Sequence, residues 1–329
     1  ALHWFCLGWE AMVRGRLAEA RELLARSVAA SNEVRDPFPN CMANSLMTYA
    51  HVVCGNTEIA YTLAGATLQR IREAGVGFIL GMANRNLALA ELALGELAAA
   101  RGHLETALTV LRASQFAYFL TQSLTSLGTL DRIDGNLEAA LAGGEESLAV
   151  AQRLGSGWMQ AGAERLLGRL SLTAGEVGEA ERYLHDALGR LVAKGFAVDI
   201  PECLDVLGAV AAGQESYEEA ARLLGAAAAG RERLGIVRFP PEPEFWAGVE
   251  RTAREALGDD GYHAAFTAGA ALGLDEAVAY IRRARGERKR PSHGWDSLTP
   301  TELEVVRATS PPASPTARSA NGCSSPPER

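Results

Sequence analysis

Aromatic residues, strand-forming alternation and long apolar runs are all scarce in this sequence of 329 residues. Only 6% of the residues are Phe, Trp or Tyr, although 48% are hydrophobic, and Ala, Leu and Gly dominate. This mixture favours helices that pack closely on small side chains over a sheet. No apolar run approaches the roughly 18–20 residues that a membrane span needs, so we expect no contact with a membrane.

Cysteine is sparse and shows no pairing pattern. The five cysteines are an odd number without CxxC spacing: Cys6, Cys41, Cys54, Cys203 and Cys323. Scattered thiols of this kind are typical of a reduced, cytoplasmic protein. No signal peptide is visible, and Ala1 already lies in an apparently helical run, so we expect the natural N-terminus to be missing.

Lysine is nearly absent, and the overall charge is negative. The only lysines are Lys194 and Lys289, and the formal net charge is −8. Since nucleic-acid-binding domains carry a basic surface, this charge argues against the whole chain being such a domain.

Motifs that would indicate catalysis or a cofactor are also missing. The sequence contains no GxxxxGK[ST], HExxH or GxSxG, and its six histidines stand singly. Neighbouring carboxylates such as Glu145 and Glu146 diverge around a helix axis, which is typical of a solvated face. We therefore predict that the chain is not an enzyme, with no catalytic residue, no metal and no cofactor.

A period of forty residues organises most of the chain. A glycine lies five residues before each of five recurring alanines, and Glu215 takes the place of the glycine before the sixth. The alanines are Ala20, Ala60, Ala100, Ala140, Ala180 and Ala220. A register kept over such a length indicates stacked structural repeats.

Each repeat is interpreted as a pair of helices. A first helix of roughly a dozen residues runs to the glycine, which can take the left-handed conformation that ends a helix. In the second helix, apolar residues recur at helical spacing, and the alanine lies where two helices cross. One hairpin buries only part of its apolar surface, so neighbouring hairpins must stack.

These features predict an all-α fold, a right-handed α-solenoid of six helix pairs over residues 1–238. Prolines at 240–243 break the period, because they cannot continue a helix. Residues 239–286 are interpreted as capping helices, in which Phe245, Trp246 and Phe266 cover the open end of the solenoid together with Leu234 and Leu272. A ligand site built from these aromatic residues is the alternative.

The repeat resembles the tetratricopeptide repeat, most clearly in the first unit, at Trp4, Leu7, Gly8, Ala20, Leu24 and Ser27. The period of that family is about 34 residues, so a longer period implies longer helices. In that family the first helix of each pair forms the concave binding face. The resemblance implies that a ligand or partner binds at Tyr49, Arg85, Gln122, Thr125, Arg132, Arg165 and Arg169.

The four arginines of this implied face have two interpretations. On an acidic protein they could receive an anionic ligand or an acidic peptide segment. Alternatively, they pair with Glu and Asp of neighbouring helices, which is the more common situation.

The C-terminal part contains a distinct helix signal. A basic stretch at 287–297 is interpreted as a linker, with contact to DNA phosphates as the alternative. The sequence L-T-P-T-E-L-E-V-V follows at 298–306. In it, Thr299 is a good N-cap, Pro300 fits the first helical position and Glu302 completes a capping box.

This stretch closely resembles the start of the LuxR-type helix-turn-helix, L-T-x-x-E-x-E-V. The residues that carry the resemblance are Leu298, Thr299, Pro300, Glu302, Glu304 and Val305. It implies that residues 298–307 begin a DNA-binding domain of the large ATP-dependent class of LuxR-type bacterial regulators. Those proteins join a nucleotide-binding module, a long tetratricopeptide-like array and this DNA-binding domain.

Residues 308–329 depart from that family. Their prolines and small polar residues cannot form a recognition helix, so we expect this tail to be disordered. Permitted codons for 312–329, read in another frame, allow A-G-L-T-N-R-Q-I-G-E-R-L-F-V-S-P-R-T, which resembles the missing recognition helix. A frameshift is therefore our hypothesis for this tail, and DNA would be a partner only of an intact full-length parent.

The sequence thus predicts a protein-interaction, signal-receiving and assembly module of a LuxR-type transcriptional regulator. Its partner would be a protein or peptide, a second copy of the chain, or a small-molecule effector. The alternative is a stand-alone tetratricopeptide-type scaffold that binds a peptide or partner protein.

Overall fold

The computed structural model describes the backbone of residues 1–114 and 116–288, and their side chains up to position 281 with the exception of Phe78. Contacts divide the chain into a unit Ala1–Val278 and a second unit Ala279–Arg329. The predicted linker beyond its first two residues, the predicted helix start at 298–307 and the tail at 308–329 lie outside the described residues. The site described below lies in the first unit.

The described residues form fourteen helices and no strand, so the predicted all-α solenoid of helix hairpins is confirmed. The helices of the six hairpins are α1 (Leu2–Val13) with α2 (Leu17–Glu33), α3 (Pro37–Val53) with α4 (Thr57–Ala74), α5 (Gly77–Leu94) with α6 (Leu97–Ser114), α7 (Ala117–Ile133) with α8 (Leu137–Arg153), α9 (Gly157–Thr173) with α10 (Val177–Lys194), and α11 (Ile200–Gly213) with α12 (Tyr217–Leu234). They are followed by α13 (Pro243–Ala270) and α14 (Leu274–Arg288).

Close packing within each hairpin explains the recurring small residues. All six repeat alanines, from Ala20 to Ala220, have no exposed surface. A glycine on the facing helix completes the contact: a Cβ at Gly168 would lie 2.9 Å from Cγ of Leu184 and 3.5 Å from the carbonyl oxygen of Ala180. A larger side chain would force the helices apart, and overpacking of this kind is destabilising.

The turn between paired helices requires a left-handed residue. Gly135 has φ of 81°, and the other repeat glycines are similar. The same conformation is kept where the glycine is absent, since Glu215 has φ of 60°. The packing of the two helices therefore overrides the local steric cost of a side chain in this region.

The first helices are longer than we expected from the sequence. The first helices α3, α5, α7 and α9 have 17 or 18 residues rather than about a dozen. The longer helices agree with the expectation that a period above 34 residues lengthens the helices, and α3 already begins after the N-cap Asp36. The side chain of Asp36 accepts a hydrogen bond from the Phe38 backbone N–H at 3.1 Å.

The helices after the repeats pack on the last hairpin. In α13, Gly258 has non-helical angles (φ 70°, ψ 164°), which separate two helical segments. The second segment crosses α12 closely, because a Cβ at Gly225 would lie only 2.0 Å from the carbonyl oxygen of Phe266. Phe266 therefore lies against the last hairpin, as the interpretation of a cap requires.

Within the described residues, no helix taken alone combines the length and the apolar character that crossing a membrane demands. One bent pair, Pro243–Ala270 with Leu274–Ile281, meets that requirement together, by length and composition only.

Candidate ligand cavity

The first helices of the hairpins surround a cavity of about 200 Å³. Equivalent positions of successive first helices face it because the forty-residue period repeats the same helical face. All seven residues that the resemblance implied lie on its wall: Tyr49, Arg85, Gln122, Thr125, Arg132, Arg165 and Arg169. That they bind a ligand or partner remains a prediction.

Residues 236–242, named here the crossing segment, also line this cavity. The backbone N–H of Val237 donates a hydrogen bond to the carbonyl oxygen of Val53, at the end of α3, over 2.8 Å. Phe239 packs against two hydrophobic clusters, one of which contains Leu92 of α5 and the other Leu89 of α5. The segment therefore leaves the sixth hairpin and contacts the second and third.

Contacts between distant hairpins hold the N-terminal end of the array in the same way. The N–H of Ala197, after α10, donates to the carbonyl oxygen of Val13 at 2.9 Å. Leu234 lies against the first turn, where a Cβ at Gly15 would be 2.4 Å from its Cδ2. Leu234 therefore contacts the turn of the first hairpin, and its role in covering the open end of the solenoid stays a prediction.

Glu242 neutralises two of the predicted arginines. Its carboxylate lies 2.7 Å from Nη2 of Arg132 and 3.0 Å from Nη2 of Arg169. The guanidinium of Arg169 also lies over the rings of Phe245 and Trp246, at 4.2 and 5.1 Å from their centroids. These two aromatic residues therefore contact a cavity arginine in addition to any capping role, and Trp246 itself lines the cavity.

Arg165 is paired with two carboxylates of the α11 region. Its Nη1 lies 2.7 Å from Asp199, and its Nε lies 3.2 Å from Glu202. Burial tends to lower the pKa of Arg165, but Glu202 and Asp199 outweigh it and the pKa is raised. Tyr49 donates its hydroxyl to Asp199 at 3.2 Å, and burial together with that carboxylate raises the pKa of Tyr49.

A third cluster of charged side chains lines the end of the cavity near α12. Arg231 and Arg238 both pair with Asp205, and the Arg238 contact measures 3.0 Å. Arg238 also lies 3.4 Å from Glu250 of α13. The sequence did not single out any of these four residues.

Arg85 differs from the other cavity arginines. Arg85 is 7% exposed, and its Nε has no hydrogen-bond partner, as is also true of Nε of Arg165 and Nη1 of Arg169. No carboxylate within the part of the chain that the structure describes forms an ion pair with it. Burial lowers the pKa of Arg85 to about 10, with the hydroxyls of Tyr118 and Tyr49 acting in the opposite sense. The structure therefore separates the two interpretations of the arginines: three are paired internally and Arg85 is not.

Aromatic rings extend from Arg85 across the cavity. Tyr118, which hydrogen-bonds to Gln122, lies 6.2 Å from Trp158 between ring centroids. Trp158 is in edge contact with Trp9 of the first hairpin at 5.2 Å, and its Nε1–H donates to Asp199 at 3.0 Å. The wall is thus apolar and aromatic on one side and ionic on the other.

Sequence reasoning missed the residues that fill or close the cavity, above all Tyr118, Trp158 and Glu242. A signal for the first two was present, since they are forty residues apart and share one position of the repeat. Glu242 gave no such signal, because it lies beyond the last repeat and its contacts depend on the path of the crossing segment. Glu202 lies in α11, two periods of forty residues after the predicted Gln122, so its position could have been found from the register, whereas Asp199 directly precedes α11.

The arrangement suits binding of a small molecule. Its polar groups are arginines, tyrosine hydroxyls and an amide set in apolar walls, which is the usual make-up of a ligand pocket. Among the described residues, no three His, Cys, Asp or Glu side chains are grouped as metal ligands would be.

The fold and the cavity together define an all-α solenoid of helix hairpins with a small pocket on the concave side of its first helices. No protein-family model matches the chain. The chain is 35% identical over 309 residues to proteins named "Putative HTH-type transcriptional regulator", Mb0914c from Mycobacterium bovis and Rv0890c from Mycobacterium tuberculosis. The aligned part is 91% of this chain and 33% of each relative, so the chain spans about a third of their length.

Among solved structures, the crystal structure of BtubC (BKLC) from P. vanneervenii resembles the chain with a TM-score of 0.49 and 20% identity. The match covers 69% of this chain and 95% of that one.

Proposed function

We propose that the chain is the signal-receiving module of a transcriptional regulator of the LuxR type, and that the signal is a small molecule bound in the cavity. The observation that carries this proposal is the cavity on the concave wall of the first helices, which the crossing segment also lines. Similarity to proteins named as HTH-type regulators supports the regulatory part. The stretch L-T-P-T-E-L-E-V-V at 298–306 supports the LuxR type.

The crossing segment supplies a physical route for the signal. It lines the cavity and leads directly into α13 and α14, which precede residues 298–306 in the chain. A ligand that contacts the segment more favourably in one conformation would shift the population towards that conformation. The coupling to DNA binding in an intact parent would equal that difference in binding free energy.

A peptide-binding scaffold is the second candidate function. The concave face formed by the first helices favours it, as in the tetratricopeptide family. Against it stands the crossing segment, which already occupies the position that an extended peptide would take. Self-association through an outer surface remains compatible with either function. We further propose that the chain acts in the cytoplasm by binding rather than by catalysis.

Two measurements test the proposed function. In a thermal-shift screen of the purified chain against metabolites and peptides, a class of small molecules should stabilise the chain. A ligand that binds only the folded state raises the midpoint temperature of unfolding. Stabilisation by peptides alone would favour the scaffold. Sequencing the gene across and beyond the codons for 304–329 should reveal a second frame that completes the helix-turn-helix; a clean frame that ends at Arg329 would count against the regulator.

A further inference from the structure

Among the residues that the structure describes, the charges on the cavity wall leave one positive charge without an ion-pair partner. Six arginines line it, against the four carboxylates of Asp199, Glu202, Asp205 and Glu242. Counting Glu250, which reaches Arg238 from α13, leaves an excess of one positive charge. This local excess occurs inside a protein whose formal net charge is −8.

The excess charge is on Arg85. Each of the other five arginines of the wall lies within 3.0 Å of a carboxylate oxygen. They are Arg132, Arg165, Arg169, Arg231 and Arg238. Arg85 lines the cavity and is only 7% exposed. Its Nε has no hydrogen-bond partner. An unpaired buried cation is costly, and proteins rarely keep one unless an anion neutralises it at some stage.

The surroundings of Arg85 restrict what the anion can be. A cavity of about 200 Å³ is comparable to one that holds a single benzene-sized molecule, so the ligand is small. The rings of Tyr118 and Trp158 line the cavity, as do the apolar side chains of Met42, Leu89 and Phe119. A flat ring is therefore the body that these walls fit best.

We propose that this cavity binds a small aromatic monocarboxylate, whose carboxylate pairs with the guanidinium of Arg85 and whose ring packs against Tyr118 and Trp158. A single free cation fits a single negative charge, and the planar guanidinium fits a carboxylate with two parallel hydrogen bonds. A phosphate dianion would carry one charge more than the wall can neutralise. This inference rests on the proposed function, because it names the chemical class of the signal.

The test is calorimetric titration of the purified full chain with benzoate, benzamide and inorganic phosphate. We expect benzoate to bind at least ~10-fold more tightly than benzamide, since a charge-assisted pair with a buried arginine contributes more than about 1.4 kcal/mol. Phosphate should bind more weakly than benzoate. Equal affinity for benzoate and benzamide, or a preference for phosphate, would overturn the proposal.

Variants locate the binding. Arg85→Met should lower benzoate affinity at least ~10-fold and leave benzamide affinity nearly unchanged, while Arg85→Lys should retain part of the benzoate affinity. The matched control is Arg112→Met, an exposed arginine of α6 that pairs with Glu146 outside the cavity. If Arg85→Met binds benzoate as the native chain does, the anion is elsewhere and the proposal is wrong.

The two proposals fail in different ways. If benzoate does not bind but the metabolite screen yields a neutral or larger stabilising ligand, the monocarboxylate assignment is wrong and the signal-receiving function stands. If no small molecule stabilises the chain and peptides do, both are wrong. Quenching of tryptophan fluorescence by the ligand, lost in Trp158→Phe but not in Trp4→Phe, adds a readout that does not depend on the charge.

Discussion

Glu242 and Arg132 form a largely buried ion pair over 2.7 Å, although their positions in the chain differ by 110. Their side chains are 16% and 8% exposed. The same carboxylate holds Arg169, so a single residue of the crossing segment connects α7 and α9. The crossing segment is therefore fixed to the concave wall by charge as well as by the packing of Phe239.

Replacing Glu242 by Gln should destabilise the fold strongly. The substitution leaves Arg132 and Arg169 buried without a counter-charge, and removal of one partner of a buried pair costs about 3–5 kcal/mol. Urea unfolding followed by circular dichroism measures the change. The control is Glu146→Gln, whose exposed pair with Arg112 should contribute less than ~1 kcal/mol. If the two substitutions lower stability equally, the ion pairs of Glu242 do not stabilise the fold more than an exposed pair does.

The sequence predicts the architecture well and the site only in part, for a physical reason. Helix pairs and their glycine turns follow from local periodicity. The resemblance to the tetratricopeptide repeat, carried along the forty-residue register, is enough to place all seven implied residues on the cavity wall. The partners of those residues come from long-range contacts that periodicity does not encode. Asp199 and Glu242 lie outside the repeating helix faces, so the neutralisation of Arg165 and Arg132 could not be derived from spacing.

Arg85 and Arg165 should respond in opposite directions to the same substitution. Arg85→Met removes an unpaired buried donor and should increase stability by roughly 1–3 kcal/mol, because the cost of its desolvation disappears. Arg165→Met leaves Asp199 and Glu202 without their cation and should lower stability by about 3–5 kcal/mol. Differential scanning calorimetry of both variants checks the signs. A destabilised Arg85→Met variant would mean that the guanidinium is part of the structural network.

Tyr118 should make stability fall in strong alkali. Burial raises the pKa of Tyr118 to about 12, whereas an unfolded chain releases the phenolic proton near pH 10. The folded state then holds more protons than the unfolded state between these values, so this contribution is complete below about pH 10 and is lost as pH rises towards about 12. Tyr118→Phe should lose less stability between about pH 9 and 11 than the native chain does. Parallel profiles of the midpoint against pH would contradict the prediction.

The turn at Glu215 should improve when the repeat glycine is restored. Glu215 has φ of 60°, where every other repeat hairpin has glycine. Since a side chain in the left-handed region costs about 1–2 kcal/mol and glycine loses some chain entropy, Glu215→Gly should stabilise by roughly 0.5–1 kcal/mol. In contrast, Glu105→Gly, at an exposed position inside α6, should destabilise by about 1 kcal/mol. Thermal unfolding of the two variants should therefore shift in opposite directions, and a loss in both would show that Glu215 makes a compensating contact.

Phe239 tests whether the crossing segment closes the cavity. Phe239→Ala removes a partly buried ring from the hydrophobic clusters that contain Leu89 and Leu92, which should cost roughly 2–3 kcal/mol. The more specific effect concerns the Val237 amide, which is protected by the carbonyl oxygen of Val53. Its hydrogen exchange should accelerate far more than that of amides in α8, because the segment opens locally before the solenoid unfolds. Val34→Ala, at a side chain that is 70% exposed, is the control and should change neither property. If exchange rises uniformly over all helices in Phe239→Ala, the segment unfolds only with the whole array and cannot act as the movable wall of a ligand cavity.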